Sequence, residues 1–449
     1  MGLTLIRKSR GRARKPNSKI ALVLAGGAVS GGAFKVGGLK ALNDFLVGRE
    51  ITDLDMYVGL SAGAILAVPL AASIGPDEMM KVLEGTSDRF EQLRPIDFYN
   101  PNWREFATRP AELVYDLMSY LPGIGLEFAR GLPTLPEEAG PALRKFLWRP
   151  SYTNFEALAL RVIEHTSPTR QLPTFTNHFP SGLFENSSLE RWLRLNLERN
   201  GLPNDFRAFE RQQKCKLYLS ACDLDTAERV VFGANENADV TISQATQAST
   251  ALPLFYRPAR INGVDYVDGG VRNTANVDVA IEKGGDLIIV YNPFRPFVNF
   301  VSQEIADSEP SHYFSNPRYL ADRGLKVVLN QVFRMLLHSR LKLGMQRYLT
   351  DDRFQGDIVL LEPRERDAEF FGLNPLAFWR RADAVAHGFT SVRLTIEENF
   401  EQLREVFSHY GLEMSRSAAR AKATQACEAR GWSEAAEDRG EPALRLVGS

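Results

Sequence analysis

This 449-residue sequence has few cysteines, no long apolar run and almost no net charge. The 3 cysteines argue against a disulfide framework and favour a reducing compartment. No uninterrupted apolar stretch approaches the length of about 20 residues that a transmembrane helix needs. The formal net charge is −1, so no global field favours nucleic acid as a partner. Spacings typical of zinc ligands are missing as well, and we expect neither a metal nor another cofactor.

What the sequence does contain is a serine in a distinctive local context. Residues 59–63 read GLSAG, between a short apolar run and an apolar helical pattern. This strand–turn–helix setting is that of a nucleophile elbow, with Ser61 at the tip of a sharp turn. Gly59 and Gly63 lack a Cβ atom and let the strand and the helix approach each other closely. The following helix also points its N-terminal amides at the serine, where a developing oxyanion would lie.

A glycine-rich loop precedes this elbow. Residues 25–32 read AGGAVSGG, between a predicted buried strand at 20–24 and a helical pattern at 33–42. Such a loop exposes backbone N–H groups to an anion. Its spacing fits neither a nucleotide-binding P-loop nor a dinucleotide fingerprint. A catalytic oxyanion fits best, because the serine elbow follows only one βα unit later. The alternative is a turn whose glycines only let helix and strand pack together.

A third motif lies far downstream, where residues 263–271 read GVDYVDGGV. An aspartate followed by two glycines is ordinarily a turn. Considered together with Ser61, however, Asp268 becomes a candidate general base.

The three motifs occur in the same order in patatin-like phospholipases, which are serine acyl hydrolases with a Ser–Asp dyad. The chain resembles that family over about residues 18–295, and the stretches 221–228, 248–254 and 277–280 look like it too. The resemblance implies that Ser61 is the nucleophile and Asp268 its base. It also implies an oxyanion hole built from the backbone amides of Gly26, Gly27, Ala28 and Ala62.

The glycine-rich loop departs from the family pattern. The family usually has three glycines, one further residue, then Arg or Lys, then glycine. Here Ala28 stands at the third glycine and Ser30 at the basic position, and Lys35 is the nearest cation. Backbone amides can bind an oxyanion without that side chain, so we still expect activity. A catalytically impaired lipid-binding protein is an alternative.

Strand and helix signals alternate through the catalytic region, which predicts an α/β class. The resemblance implies a three-layer αβα sandwich with a mainly parallel central sheet, a helical cap insertion and a helical C-terminal extension. We expect a basic, disordered arm at 1–18 and a catalytic domain at 19–300 with the cap-like insertion at 76–210. The helical extension is expected at 301–414 and a disordered tail at 415–449.

The reaction expected is hydrolysis of a glycerolipid ester, as in phospholipase A or a lysophospholipase, through an acyl-enzyme on Ser61. An α/β-hydrolase triad is the alternative, because four histidines follow Asp268 in the order that such a triad requires: His312, His338, His387 and His409.

No signal peptide is seen, so we expect a cytoplasmic protein. The basic residues of 1–19 and the acid-free stretch 323–348 make an anionic membrane surface a candidate partner for peripheral association.

Overall fold

The structure is a computed structural model, and it describes residues 2–9, 13–131, 135–166, 178–299, 319–365 and 367–429. The chain divides into two compact units. The larger unit contains Met1–Asn100 and Phe184–Ser449, and the smaller one is Pro101–Leu183. Each unit is described separately.

The strands of the described residues are, in chain order, β1 (Leu3–Ile6), β2 (Ile20–Leu24), β3 (Leu46–Val47), β4 (Met56–Leu60), β5 (Gly182–Phe184), β6 (Lys216–Asp223), β7 (Arg229–Phe232), β8 (Leu254–Tyr256), β9 (Ala259–Ile261), β10 (Val264–Asp268), β11 (Leu287–Tyr291), β12 (Asp357–Leu361) and β13 (Glu413–Met414).

The α-helices are α1 (Ala28–Phe45), α2 (Ala62–Ala71), α3 (Pro76–Glu84), α4 (Pro95–Phe98), α5 (Trp103–Gly131), α6 (Leu135–Trp148), α7 (Tyr152–Thr166), α8 (Ser187–Arg199), α9 (Phe206–Gln213), α10 (Ile242–Thr250), α11 (Val277–Glu282), α12 (Leu325–Thr350), α13 (Ala368–Gly372), α14 (Arg381–Glu398), α15 (Phe400–His409) and α16 (Arg416–Ala429).

The larger unit is built on one sheet with the strand order β1-β12-β11-β2-β4-β6-β10-β9, and β7 also pairs with β6. Strands β12, β11, β2, β4 and β6 run parallel to one another. Strands β1, β7, β9 and β10 pair antiparallel at the two sides. The central strands are buried along their whole length, as expected for parallel strands covered on both faces. The predicted α/β class with a mainly parallel sheet is therefore confirmed.

Helices cover both faces of this sheet. Side chains of β2 alternate between two hydrophobic cores, with Leu22 and Leu24 in one and Ala21 and Val23 in the other. The first core contains residues of α1, α2 and α14, and the second contains residues of α11 and α12. This arrangement gives the three layers.

The N-terminal arm differs from the prediction of disorder over residues 1–18. Leu3–Ile6 forms β1, which pairs with β12 at the edge of the sheet. The buried carboxylate of Asp357 then accepts hydrogen bonds from the Lys8 and Ser9 amides at 2.7 and 2.9 Å. The reason is that pairing satisfies the backbone groups that β12 would otherwise leave at an open edge.

The C-terminal region also differs from the prediction. The segment expected to be a helical extension at 301–414 also supplies β12 to the central sheet, and its helix α14 lies against α1. The tail expected to be disordered from 415 contains α16, which extends to Ala429. Residues 430–449 lie outside the described residues. Strand β12 has only 5 residues, DIVLL, and nothing in so short a run predicts which strand it pairs with.

The smaller unit, Pro101–Leu183, consists of α5, α6 and α7 and the residues that join them. The rings of Phe146 and Phe155 lie 5.9 Å apart between α6 and α7. The Glu105 carboxylate accepts hydrogen bonds from the amide and hydroxyl of Ser181 at 2.6 and 2.9 Å. The unit is shorter than the insertion predicted at 76–210, because α3, α4, α8 and α9 belong to the larger unit. Its role as a cap stays a prediction.

Candidate active site

Ser61 joins strand β4 to helix α2, as the sequence predicts. Its backbone has φ 55° and ψ −128°, a conformation that is costly for a residue with a side chain. Its amide donates a hydrogen bond of 2.8 Å to the Ser249 hydroxyl on α10, which holds the turn from outside. Strain held in place in this way is typical of a nucleophile elbow.

Both glycines of the elbow are required by close contacts. A Cβ atom on Gly59 would lie 2.7 Å from Cα of Ala64 in α2. A Cβ atom on Gly63 would overlap the carbonyl oxygen of Leu24 at the end of β2. Helix α2 therefore starts directly against the backbone of the neighbouring strand, so that its N-terminus lies beside the loop that follows β2.

The strand register brings Asp268 to the level of Ser61. Leu60 in β4 lies opposite Ser220 in β6, and Asp268 at the end of β10 lies opposite Ala221. Asp268 is 2% exposed, its carboxylate accepts a hydrogen bond of 2.8 Å from the Gly270 amide, and the Ser61 side chain lies near enough to lower its pKa. The structure thus joins two residues that are far apart in the sequence.

Burial raises the pKa of Asp268 to about 6, because the carboxylate is removed from water. The hydrogen bonds from Ser61 and Gly270 and the charge of Lys35 oppose this shift, since each of them favours the ionised form. The result is a carboxylate that is a stronger base than an exposed aspartate and is still ionised at neutral pH.

The glycine-rich loop runs past the serine. A Cβ atom on Gly26 would lie 3.3 Å from Cβ of Ser61. The loop enters α1 at Ala28, which has φ 51°. Within the described residues, the amides of Gly26, Gly27 and Ala28 donate to no acceptor. The same holds for the Ala62 amide at the start of α2. These groups are available to an anion beside Ser61.

Lys35 has a position that the sequence did not predict. It is completely buried, and its ammonium donates hydrogen bonds to the carbonyl oxygens of Ala25 and, at 3.1 Å, Gly26. Burial lowers the pKa of Lys35 to about 7, and the charge of Asp268 opposes the shift. A signal was present, because this lysine interrupts an otherwise apolar helical stretch and a long helical side chain points back toward the N-terminus of its helix. The Ser30 side chain, in contrast, brings no charge to the loop.

A cavity of about 80 Å³ adjoins the serine. Ser61, Ala28 and Ala62 line it together with apolar side chains that include Leu66, Leu83, Leu93, Phe98 and Leu189. An apolar lining of this kind fits a hydrocarbon chain.

The described histidines lie elsewhere. None of them lines the cavity beside Ser61. His338 instead contacts the buried Glu362 carboxylate at 3.3 Å, and the His409 ring lies against Tyr410. His312 lies outside the described residues.

Three solved structures are similar to this chain. VipD from Legionella pneumophila is 15% identical with a TM-score of 0.37, over 88% of this chain and 70% of VipD. The ExoU–SpcU complex of Pseudomonas aeruginosa is 16% identical with a TM-score of 0.26, and the match covers 91% of this chain and 63% of the matched chain. Human GIVD cytosolic phospholipase A2 in complex with methyl γ-linolenyl fluorophosphonate is 12% identical with a TM-score of 0.31. That match covers 87% of this chain and 59% of the phospholipase chain. The chain thus spans less than two thirds of the last two.

A family model gives the assignment. The model of patatin-like phospholipases matches residues 22–281, which is more than half of the chain. The matched region includes the glycine-rich loop, the serine elbow and Asp268. The chain therefore belongs to the patatin-like phospholipase family.

Proposed function

We propose that the protein is a serine lipid acyl hydrolase that cleaves glycerolipid esters through an acyl-enzyme on Ser61. Membership of a phospholipase family supports lipid ester hydrolysis at the level of the family. The observation that carries the finer proposal is that the Ser61 side chain lies beside the buried Asp268 carboxylate and favours its ionised form. A serine is a weak nucleophile until a base accepts its proton, and here the candidate base lies beside it.

In the first half-reaction, Asp268 takes the hydroxyl proton while Oγ of Ser61 attacks the ester carbonyl carbon. The carbonyl oxygen becomes an oxyanion, which the amides of Gly26, Gly27, Ala28 and Ala62 would bind. Collapse of this intermediate breaks the ester C–O bond. The proton on Asp268 passes to the departing alcohol, and the acyl group stays on Ser61.

The second half-reaction repeats these steps with water. Asp268 takes a proton from the water, whose oxygen attacks the acyl-enzyme carbonyl. The same amides stabilise the second oxyanion. Breakage of the bond to Oγ releases a fatty acid, and Ser61 recovers its proton from Asp268.

The apolar cavity beside Ser61 supports a substrate with a hydrocarbon chain. Such lipids reside in membranes, so the enzyme would meet its substrate at a bilayer surface. Peripheral association is therefore part of the proposal. Within the described residues, no helix is both long enough and apolar enough to cross a bilayer.

A fluorophosphonate probe tests the nucleophile. We expect one labelled peptide, containing Ser61, and no labelling of a folded Ser61→Ala variant. Ser30→Ala is the matched control, since that serine lies in the adjacent loop and should leave labelling intact. Labelling that persists in Ser61→Ala would refute the assignment. A wild-type protein that is never labelled would favour the impaired lipid-binding alternative. Mass spectrometry of phospholipids and lysophospholipids after incubation then identifies the ester cleaved.

Substitution of the base separates a dyad from a triad. Asp268→Asn should reduce turnover to about the level of Ser61→Ala, because members of one catalytic unit lose activity together. Alanine variants of His312, His338, His387 and His409 should each keep kcat within about tenfold, short of the 10²–10⁴ lost with a general base. A folded histidine variant as inactive as Ser61→Ala would show that a triad operates.

A further inference from the structure

Helix α12, with 26 residues, exposes an apolar face. Leu325, Leu329, Val332, Leu336 and Leu343 recur at spacings of three, four and seven residues, which places them along one line of the helix. We call these five residues the α12 stripe. All of them are exposed, Leu325 by 73% and Leu343 by 65%. Isolated exposed leucines are ordinary on protein surfaces, but a continuous line of them is not.

The opposite face of α12 already makes the contacts that hold the helix in place. Leu341 and Met345 are buried in the core under the sheet. Arg334 is also buried, and its guanidinium donates hydrogen bonds to the carbonyl oxygens of Pro293 and Arg295 at 3.0 and 3.2 Å. A surface helix that buries one face normally presents polar residues on the other. The stripe therefore needs a separate explanation from the packing of the helix.

The charged side chains of α12 itself are all of one sign. No aspartate or glutamate occurs anywhere in α12. Arg340 and Arg347 are exposed and fall on the same side of the helix as the stripe, although Arg340 also donates a hydrogen bond within the protein, to the Val271 carbonyl. An apolar line flanked by cations fits the surface of an anionic bilayer, where leucines enter the acyl boundary and cations meet lipid phosphates. A second copy of this acid-free helix would instead bring like charges together.

The helix is anchored on two segments that lie close to the active site. Arg334 binds the loop after β11, whose Pro293 and Phe294 side chains lie next to Gly27 and Gly26. On the other side, the Arg340 guanidinium donates to the carbonyl oxygen of Val271, in the turn that follows Asp268. A surface that docks through α12 would therefore lie near the catalytic edge of the sheet.

We propose that the α12 stripe is a lipid-docking surface that seats the larger unit on an anionic bilayer. The proposal rests on the proposed function only for its purpose, which is delivery of membrane lipid to Ser61. The docking itself follows from the exposed leucines and the acid-free charge of the helix.

Vesicle binding tests the surface directly. The protein should be studied in a Ser61→Ala background, so that no lipid is consumed. We expect cosedimentation with phosphatidylcholine vesicles that contain phosphatidylserine, weaker binding without phosphatidylserine, and weakening as salt rises. Replacing three stripe leucines by glutamine (Leu329, Leu336 and Leu343) should weaken binding by about tenfold or more. Gln at Leu195 and Leu394, exposed leucines on α8 and α14, is the matched control and should bind like the parent.

Three results would overturn the proposal. The first is a triple variant that binds vesicles as well as its parent, and the second is a control variant that loses binding equally. The third is a parent protein that forms a dimer which the triple variant does not form. The last result would identify a second copy as the occupant. Should the triple variant fail to fold, Arg347→Glu carries the test, and unchanged binding of that variant to phosphatidylserine vesicles would count against the surface.

Hydrolysis separates this proposal from the proposed function. In the active protein, the triple variant should lose hydrolysis of vesicle lipid but keep hydrolysis of a water-soluble short-chain ester within about twofold, because no stripe residue lines the cavity at Ser61. Equal loss of both reactions would contradict a docking role. If the protein hydrolyses neither substrate, the proposed function is wrong. The docking proposal is then judged by the vesicle-binding experiment alone.

Discussion

At the scale of single residues, the site depends on one carboxylate whose environment is unfavourable for its charge. Asp268 is buried with a pKa raised to about 6, and only a serine hydroxyl, one amide and the charge of Lys35 support its ionised form. Such a residue is poorly placed for stability and well placed for catalysis, because the burial that destabilises the anion also strengthens it as a base.

The first consequence concerns the pH profile. In the proposed mechanism Asp268 must be ionised to accept the Ser61 proton, so kcat/KM should fall as pH drops through about 6 and level off above it. The measurement is hydrolysis of a soluble short-chain ester across the range of pH in which the protein stays folded. An acid limb near pH 4, the value of an ordinary aspartate, would contradict the environment described for Asp268.

The second consequence concerns stability. Because the pKa of Asp268 is higher in the folded than in the unfolded chain, the native protein binds more protons and loses stability as pH rises from about 4 to 6. Asp268→Asn should therefore be more stable than the parent above pH 6, by at most about 2–3 kcal/mol, with the difference vanishing below pH 4. Chemical denaturation at two pH values measures this. A variant that is less stable at pH 7 would show that the carboxylate is not under strain.

Lys35 is the second residue with a role at this scale. Its ammonium holds the two carbonyls that begin the glycine-rich loop, so its loss should misplace the amides that follow. Lys35→Met should lower kcat by about 10², the scale of one lost oxyanion donor, with little change in KM. The acid limb of the pH profile should also move to higher pH, because the charge that lowers the pKa of Asp268 is gone.

Two comparisons make the Lys35 test specific. Lys35→Gln keeps a hydrogen-bond donor without the charge, so it should retain more activity than Lys35→Met and show the same shift of the acid limb. Lys40→Met removes another buried lysine of α1, paired with Asp44 at 2.6 Å, and should destabilise the protein without moving the limb. An unmoved limb in both Lys35 variants would mean that Lys35 acts only by packing.

At the scale of elements, the site is the meeting point of two helix N-termini and one strand end. Helices α1 and α2 each start directly after a parallel strand, and a Cβ atom on Gly32 of α1 would lie 3.4 Å from Cβ of Ala62 in α2. Neighbouring parallel strands end at the same edge of a sheet, so the turns that follow them lie close together. Two positive helix ends then face one point, which favours a developing anion.

The close start of α2 can be tested with two glycines. Gly63→Ala should destabilise the protein by about 2 kcal/mol or more and abolish probe labelling, since its Cβ atom would overlap the Leu24 carbonyl. Gly344→Ala is the matched control, because nothing lies within 4 Å of that position in α12. It should stabilise the helix by up to about 1 kcal/mol. Thermal unfolding of both variants is the measurement, and a neutral Gly63→Ala would show that the elbow tolerates a side chain.

The predictability of these elements from sequence follows the range of the interactions involved. The elbow around Ser61 and the turn after Asp268 could be predicted because their signals are local glycines at fixed offsets. Only the family resemblance predicts that Ser61 and Asp268 lie close together. Strand β6 pairs with both β4 and β10 and so brings the two residues to the same level, but neither motif contains a signal for that pairing. Strands β1 and β12 were missed for the same reason, because each is a short apolar run whose partner is distant. Lys35 was seen as a cation but not as a buried one, since burial is a tertiary property.

At the scale of the whole molecule, the N-terminal strand forms one edge of the central sheet. The N-terminal strand β1 covers β12, and several basic residues of the arm are bound to acids of the same unit. Arg7 pairs with Glu405 at 2.9 Å, and Lys15 pairs with Asp286 at 2.6 Å. These charges serve the fold, and an arm that binds lipid is not needed to explain them. Arg10 and Arg12 lie outside the described residues.

Removal of the first strand should therefore cost stability. Deleting residues 2–9 exposes the edge of β12 and leaves the buried Asp357 carboxylate without three of its hydrogen bonds. We expect a loss of at least about 2 kcal/mol in the free energy of unfolding. Lys15→Gln, which breaks only the partly exposed pair with Asp286, should change it by less than about 1 kcal/mol. A truncated protein with unchanged Tm would show that β1 contributes nothing to the sheet.

The pairing of β1 with β12 also sets an order of events during synthesis. Leu3 is made before its partner Leu361, and most of the chain separates the two residues. At typical elongation rates of about 5–20 residues per second, β1 leaves the ribosome on the order of 20–70 s before β12. Throughout that interval β1 has no strand to pair with, and the sheet can be completed only after the catalytic motifs have been made. Contacts of such long range form slowly. The refolding rate of the full chain should therefore depend on capture of β1 as a late step, and a fusion partner that immobilises the N-terminus would slow it.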